Sequence, residues 1–304
     1  MAGRVEAIGE SERNKMRGEC RNWRTHLPKG AYAVVTGASQ GLGRAFAEEL
    51  ARGGVNLHLV ALPDSGLDRV GQALQALYDV SVETHACDMT AEGAVESLCE
   101  AILSRRHDLA MLINNAGVGY NSTFVDSTLR QNETCILLNN LATVKMTRLL
   151  LPALLEADRA RILNVASMAA MFPMPYMPVY APSKSFVLSF SQSLRQEQRG
   201  TSVGVSALCP NGIRTSADAR DKIASHGKFG DLFCMDADQV AQDGLRGVVR
   251  DRAVVVPGAL NRAIAAVSKI APRWLVYSVV GAFWGKTAKK PVRPLAVPAP
   301  SPAQ

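Results

Sequence analysis

The sequence contains no C-x-x-C pair, no apolar leader and, beyond Asp251, no acidic residue. Its six cysteines (Cys20, Cys87, Cys99, Cys135, Cys209 and Cys234) are dispersed, with no histidine at zinc-ligand spacing. That pattern excludes a disulfide framework, predicts no metal site, and suits a reducing, cytoplasmic compartment. Arg, Glu, Lys and Asn interrupt the first residues throughout, so no signal peptide is expected. The longest uncharged run, 162–183, carries Pro173, Pro175, Pro178 and Pro182 and reads as strand plus loop, not a membrane-spanning helix. Neither Gly (24) nor Pro (15) is in excess over 304 residues, and 47% of the chain is apolar. Collagen-like and disordered classes are thereby excluded.

The formal charge of +7 is unevenly spread. Residues 1–29 hold seven basic and four acidic side chains; 30–251 hold nineteen basic and twenty-three acidic; 252–304 hold eight basic and none acidic. The body is therefore mildly acidic between basic ends. With no recognition motif present, a nucleic-acid partner is not expected.

From residue 31 onward, short β-branched runs alternate with amphipathic stretches. Residues 31–35, 55–62, 81–86, 109–113, 161–166, 202–208 and 253–256 read as strands, several apolar on both faces. Residues 42–52, 67–78, 91–104, 129–156, 179–198 and 237–250 read as helices. The alternation predicts an α/β fold: one Rossmann-type, doubly wound parallel sheet of about seven strands with helices on both faces. It gives a charged N-terminal arm (1–29), a catalytic domain (30–258), an apolar helical segment (259–285) and a disordered basic, Pro-rich tail (286–304).

The first strand runs into Thr36-Gly37-Ala38-Ser39-Gln40-Gly41-Leu42-Gly43 and then a helix. Glycines let this backbone turn sharply and approach a pyrophosphate, and the helix N-terminus offers free N–H groups. The spacing is not G-x-G-x-x-G; it is T-G-x-x-x-G-x-G, and here the sequence resembles the short-chain dehydrogenase/reductase family. The resemblance continues through Asp88 in C-D-M-T, Asn114-Asn115-Ala116-Gly117, Asn139, Ser167, Tyr180 and Lys184, and it covers 30–258. It is strongest toward a bacterial branch near hydroxysteroid dehydrogenases and long-chain 3-ketoacyl reductases.

The resemblance implies a nicotinamide cofactor bound by Thr36, Gly37, Ser39, Gln40, Gly41, Leu42, Gly43, Asp88, Met89, Asn115, Ala116, Gly117, Tyr180, Lys184, Pro210, Gly212 and Thr215. It also implies catalysis by Asn139, Ser167, Tyr180 and Lys184. The spacing Tyr180 to Lys184 puts an ammonium on the phenol's helical face, which predicts a lowered phenol pKa and an acid/base role. Ser167 is expected to donate a hydrogen bond to the substrate oxygen, and Asn139 to hold a water linking Lys184 to solvent.

The family's P-G after the sixth strand is here Pro210-Asn211, a place where Asn tolerates left-handed backbone, with Gly212 and Thr215 following. Leu62 stands where NADP-dependent relatives often carry Arg, Ser39 suits a 2′-phosphate and Asp64 opposes one, so NADP(H) is slightly favoured over NAD(H). Residues 216–236 read as a substrate lid. Met171, Phe172, Met174 and Tyr176 point to a hydrophobic ketone or alcohol of lipid-like character. A homodimer or homotetramer is expected. Trp274, Tyr277 and Trp284 with basic flanks suggest either peripheral membrane contact through 259–290 or a helical cover over the pocket or a partner subunit. The competing functional class is a non-catalytic nucleotide-sensing or membrane-docked interaction protein on the same fold; the intact catalytic set argues against it.

Overall fold

The computed structural model describes residues 27, 30–105, 107–214, 234–272, 274–275, 277–278 and 280–281. Its strands are β1 (Tyr32–Thr36), β2 (Asn56–Ala61), β3 (Val82–Ala86), β4 (Leu109–Asn114), β5 (Ala160–Val165), β6 (Val203–Leu208), β7 (Ile213–Arg214), β8 (Met235–Asp236) and β9 (Val254–Val255). Seven of them form one parallel sheet in the order β3-β2-β1-β4-β5-β6-β9, and β7 pairs with β8 separately. Strand order reverses between β1 and β4. That switch point opens a crevice at the carboxyl ends of the strands.

Successive residues in these strands face opposite sides, and both sides are apolar. Leu57, Leu59, Met111 and Leu163 meet Phe46 and Leu50 of α1 (Gly41–Arg52) and Leu245 and Val248 of a later helix on one face. On the other, Val34, Leu112, Ile162 and Val205 meet α3 (Ala94–Ser104) through Val95 and Leu98. The remaining helices are α2 (Leu67–Leu77), α4 (Leu129–Ile136), α5 (Thr143–Glu156), α6 (Tyr180–Glu197), α7 (Ala237–Val249), which supplies Leu245 and Val248, and α8 (Ala259–Ile270). Met146, Leu150 and Leu154 of α5 complete the second core.

The single helix expected over 129–156 is not continuous. A π turn, Leu137–Ala142, separates α4 from α5. The wider turn carries Asn139 and Asn140 inward, where both are buried. Helix α3 also begins later than expected, because Gly93 ahead of it takes a left-handed φ of 73°.

Residues 1–26, 28–29, Thr215, the greater part of the expected lid (216–233) and the tail (286–304) lie outside the described residues. Segment 259–285 begins with α8, which buries Asn261 and Ala265 and leaves Leu260, Val267 and Ile270 exposed. Among the described residues no helix is long and apolar enough to cross a membrane.

Candidate active site

The glycine turn is fastened to the end of β4 by one side chain. Thr36 Oγ1 accepts hydrogen bonds from the main-chain N–H groups of Asn115 (3.0 Å) and Ala116 (2.9 Å) and donates to Ile113 O (3.4 Å). Asn115 Nδ2 answers by donating to Thr36 O at 2.8 Å. Gly37 has φ +69°, and a Cβ there would lie 2.9 Å from Asn115 Nδ2. A Cβ on Gly43 would collide with the Gly37 carbonyl oxygen. Gln40 stands at the N-cap of α1 without capping it through its side chain. The result is a tight backbone cradle beneath uncapped N–H groups, which fits a dinucleotide pyrophosphate.

Ser39 is half-buried and Gln40 exposed on this turn, while Leu42 is buried beneath it. Asp88 follows β3 on the same edge, and its carboxylate accepts from Thr90 N (2.9 Å) and Thr90 Oγ1 (2.7 Å). Those bonds hold its pKa below the ordinary carboxylate value. Met89 beside it is buried. Gly117 sits between elements: a Cβ there would be 2.9 Å from Asn139 Oδ1 and 3.1 Å from Lys184 Nζ.

The catalytic candidates converge at the carboxyl ends of β4 and β5. Ser167 follows β5 and caps the 3₁₀ turn Met168–Met171, its Oγ accepting from Ala169 N at 3.1 Å. The Ser167 side chain also stands close enough to Tyr180, the first residue of α6, to act on its phenol. Lys184, one turn along α6, is buried; its Nζ lies 5.9 Å from the Tyr180 ring centroid and donates to Val165 O at 2.8 Å. Two ammonium protons remain for other acceptors.

The protonation states differ from the sequence expectation. Burial pushes the Tyr180 phenol up, outweighing the hydrogen bond from Ser167, which acts downward. Burial also brings Lys184 down to about 8. Both shifts have the same physical cause: an enclosed site disfavours phenolate and ammonium alike.

Asn139 is held by a dense set of direct bonds. Its Oδ1 accepts from Val118 N (2.9 Å), and its Nδ2 donates to Val118 O (2.9 Å) and Ser183 Oγ (2.9 Å). Its main-chain oxygen accepts from Thr143 Oγ1 at 2.9 Å. These bonds clamp the segment after β4 to α6. Next to it, Asn140 Nδ2 donates to Ser183 O at 2.8 Å, a second tie between the π turn and α6.

Beside Tyr180 a small cleft is lined by Tyr120, Ser122, Asn132, Cys135 and Val179. Tyr176 is not in its lining; it takes φ +65°, and its carbonyl accepts from Ser122 N at 2.9 Å. Cys135 and Gly119 escaped the sequence reading. Cys135 lies one helical turn before Asn139, a spacing that could have placed it on the site face.

Pro210 is buried, and Met168 N bonds to its carbonyl at 2.9 Å. Asn211 does not use left-handed backbone; instead its Nδ2 donates to Asn261 Oδ1 (3.1 Å), tying the cofactor-side loop to α8. A Cβ on Gly212 would strike Cys234 Sγ, so the start of β7 needs glycine where the chain returns toward β8.

This geometry has counterparts among known proteins. The family model for short chain dehydrogenase matches residues 31–224. The very-long-chain 3-oxoacyl-CoA reductase of Bos taurus is 33% identical over 190 residues, 61% of this chain and 60% of that protein. The chain thus aligns with about 60% of the length of that relative. A short-chain dehydrogenase from Sphingobium yanoikuyae in complex with NADPH is 26% identical with a TM-score of 0.69, over 86% of this chain and 98% of that one. A short chain dehydrogenase/reductase from Burkholderia phymatum in complex with NAD is 25% identical with a TM-score of 0.70, over 89% of this chain and all of that one, 100%. With the family match covering most of the sheet and the glycine turn, Ser167, Tyr180 and Lys184 assembled at one edge, the chain belongs to the short chain dehydrogenase family.

Proposed function

We propose that this chain is an NAD(P)-dependent oxidoreductase interconverting a ketone and a secondary alcohol on a hydrophobic, lipid-like substrate. One observation carries the reading: buried Lys184 lies near the Tyr180 ring and Ser167 stands close enough to act on the Tyr180 phenol, beside the glycine cradle. A reduced nicotinamide dinucleotide held in that cradle supplies the hydride. At the carbonyl oxygen, Tyr180 gives its phenolic proton while Ser167 donates a hydrogen bond. Lys184 steadies the resulting phenolate until solvent returns a proton. Because burial keeps the phenol protonated, the free site is prepared as an acid, the form that carbonyl reduction requires.

The substrate class we favour is a long-chain 3-oxoacyl thioester. The name of the Bos taurus relative supports this, as do the half-buried Met171, Phe172 and Met174 in the segment between Ser167 and Tyr180. NADP(H) is our preferred cofactor, since Leu62 gives the ribose hydroxyls no carboxylate at the end of β2 and Ser39 on the glycine turn suits a 2′-phosphate, which outweighs the opposing Asp64. The exposed apolar side of α8, continued by Trp274, supports peripheral contact with an anionic membrane surface; binding to anionic liposomes, lost on deleting 259–304, is its test. The catalytic reading is tested by NADPH oxidation over a panel of long-chain 3-oxoacyl thioesters. Tyr180→Phe should lower turnover by roughly 10²–10⁴-fold while leaving NADPH binding intact. Full activity in that variant, or no turnover across the panel, would overturn it.

A further inference from the structure

At the opposite end of the sheet, near the amino ends of β1 and β4, three histidines and a glutamate that the catalytic reading leaves unused come together. His58 comes from β2, Glu83 and His85 from β3, and His107 from the segment entering β4. Ligand atoms of His58, Glu83 and His107 all lie within 4.8 Å of one another. His58 Nε2 is 3.2 Å from His107 Nδ1, and Glu83 Oε1 is 3.7 Å from that same nitrogen. A tetrahedral ion bound at about 2.0–2.1 Å sets its ligand atoms roughly 3.3–3.4 Å apart, so only small adjustments would seat one here.

A hydrogen-bonded histidine chain explains this arrangement less completely. A chain from His107 Nδ1 through His58 to His85 accounts for the histidine nitrogens, but Glu83 Oε1, 3.7 Å from His107 Nδ1, lies beyond hydrogen-bond reach and stays outside it. A cation between the three satisfies all of them.

The surroundings are those of an organised site. His58 is fully enclosed, and its other nitrogen, Nδ1, lies 3.1 Å from His85 Nε2. With His85 as acceptor, the proton of His58 stays on Nδ1 and the Nε2 lone pair is free for an ion. Tyr32 stacks on the His107 ring at 3.8 Å between centroids, 7° from parallel, which fixes its orientation. Arg105 Nε holds the other glutamate oxygen, Oε2, at 3.2 Å, leaving Oε1 turned to the histidines. Glu83 and His107 are each a quarter exposed, giving an ion an entry path from solvent.

We propose that His58, Glu83 and His107 form a divalent transition-metal site of zinc type, stapling β2, β3 and the entry to β4. Two imidazoles and one carboxylate suit zinc and its borderline neighbours rather than calcium or magnesium, which prefer all-oxygen shells. The linear sequence conceals the site because its ligands are 25 and 24 residues apart and meet only through strand pairing.

The test uses the full chain without an affinity tag, stripped with a chelator and titrated with zinc by calorimetry, then with cobalt by visible absorption. We expect one tight ion per chain, a tetrahedral cobalt spectrum and a zinc-dependent rise in Tm. Glu83→Gln and His107→Gln should each abolish the tight site, with Glu83→Gln carrying the test if the other variant fails to fold. His85→Leu should weaken binding by roughly 10–100-fold, as for a residue that orients a ligand. Absence of tight zinc uptake by the unaltered chain, or retention of the site in a folded Glu83→Gln or His107→Gln variant, would overturn the assignment.

Discussion

Gly119 lies against the face of Tyr180: a methyl group at its Cα would come within 2.6 Å of ring carbon Cδ2 and 2.9 Å of Cε2. Real side chains do not approach so closely, so any residue larger than glycine must displace the ring or the loop. Catalysis by a positioned acid tolerates little displacement of the acid. Gly119→Ala should therefore lower kcat by about 10²-fold with the fold retained, as read by circular dichroism and steady-state kinetics. Unchanged kcat would mean that the loop, not the ring, gives way without consequence.

The alkaline limb of the pH profile should belong to Lys184. Its ammonium is brought down to about 8 by burial, so the charged form is present below that value and lost above it. The Tyr180 phenol, pushed up by burial, remains protonated past this limb. For carbonyl reduction, kcat/KM should fall about tenfold per pH unit above roughly 8, since this parameter reports the free enzyme. A plateau continuing to the ordinary lysine range would assign the charge requirement elsewhere.

Thr36 offers a stability test away from the chemistry. Replacing its hydroxyl by a methyl in Thr36→Val leaves the Asn115 and Ala116 N–H groups without their acceptor. At about 1–3 kcal/mol per unsatisfied buried group, discounted because both residues are only part-buried, the loss should be about 2–4 kcal/mol. Urea denaturation measures it. Nucleotide affinity should fall in parallel, because the same bonds set the spacing between the glycine turn and Gly117.

How legible this was in the sequence depended on how local each feature is. The seven sheet strands were readable because β4 and β5 are apolar on both faces and flanked by turns. Tyr180 and Lys184 were readable because one helical turn fixes their relation. The π turn was not, since Leu137–Ala142 has no distinctive composition and its widening is set by Asn139 gripping Val118. The Tyr180–Lys184 spacing shows a nearby cation and says nothing of the burial that pushes the phenol up in the free site. Asn211 is expected to matter through its backbone, and matters through a side-chain hydrogen bond to Asn261, fifty residues away.

Cofactor choice should turn on the exposed end of β2. Leu62 is 57% exposed there, and Asp64 follows in a left-handed conformation with φ 56°. A 2′-phosphate near this corner would gain no partner from Leu62 and would be repelled by Asp64. Leu62→Arg introduces a fork of donors that can pair with phosphate, an interaction of about 1.5–3 kcal/mol. The preference for NADPH over NADH in kcat/KM should therefore rise by roughly 10–100-fold. Asp64→Asn should move it in the same direction by less, because it removes repulsion without adding a partner, and Asn tolerates the same left-handed backbone. If neither substitution alters the ratio, the 2′ position is read from the Ser39 side of the turn, and Ser39→Ala becomes the substitution that lowers it.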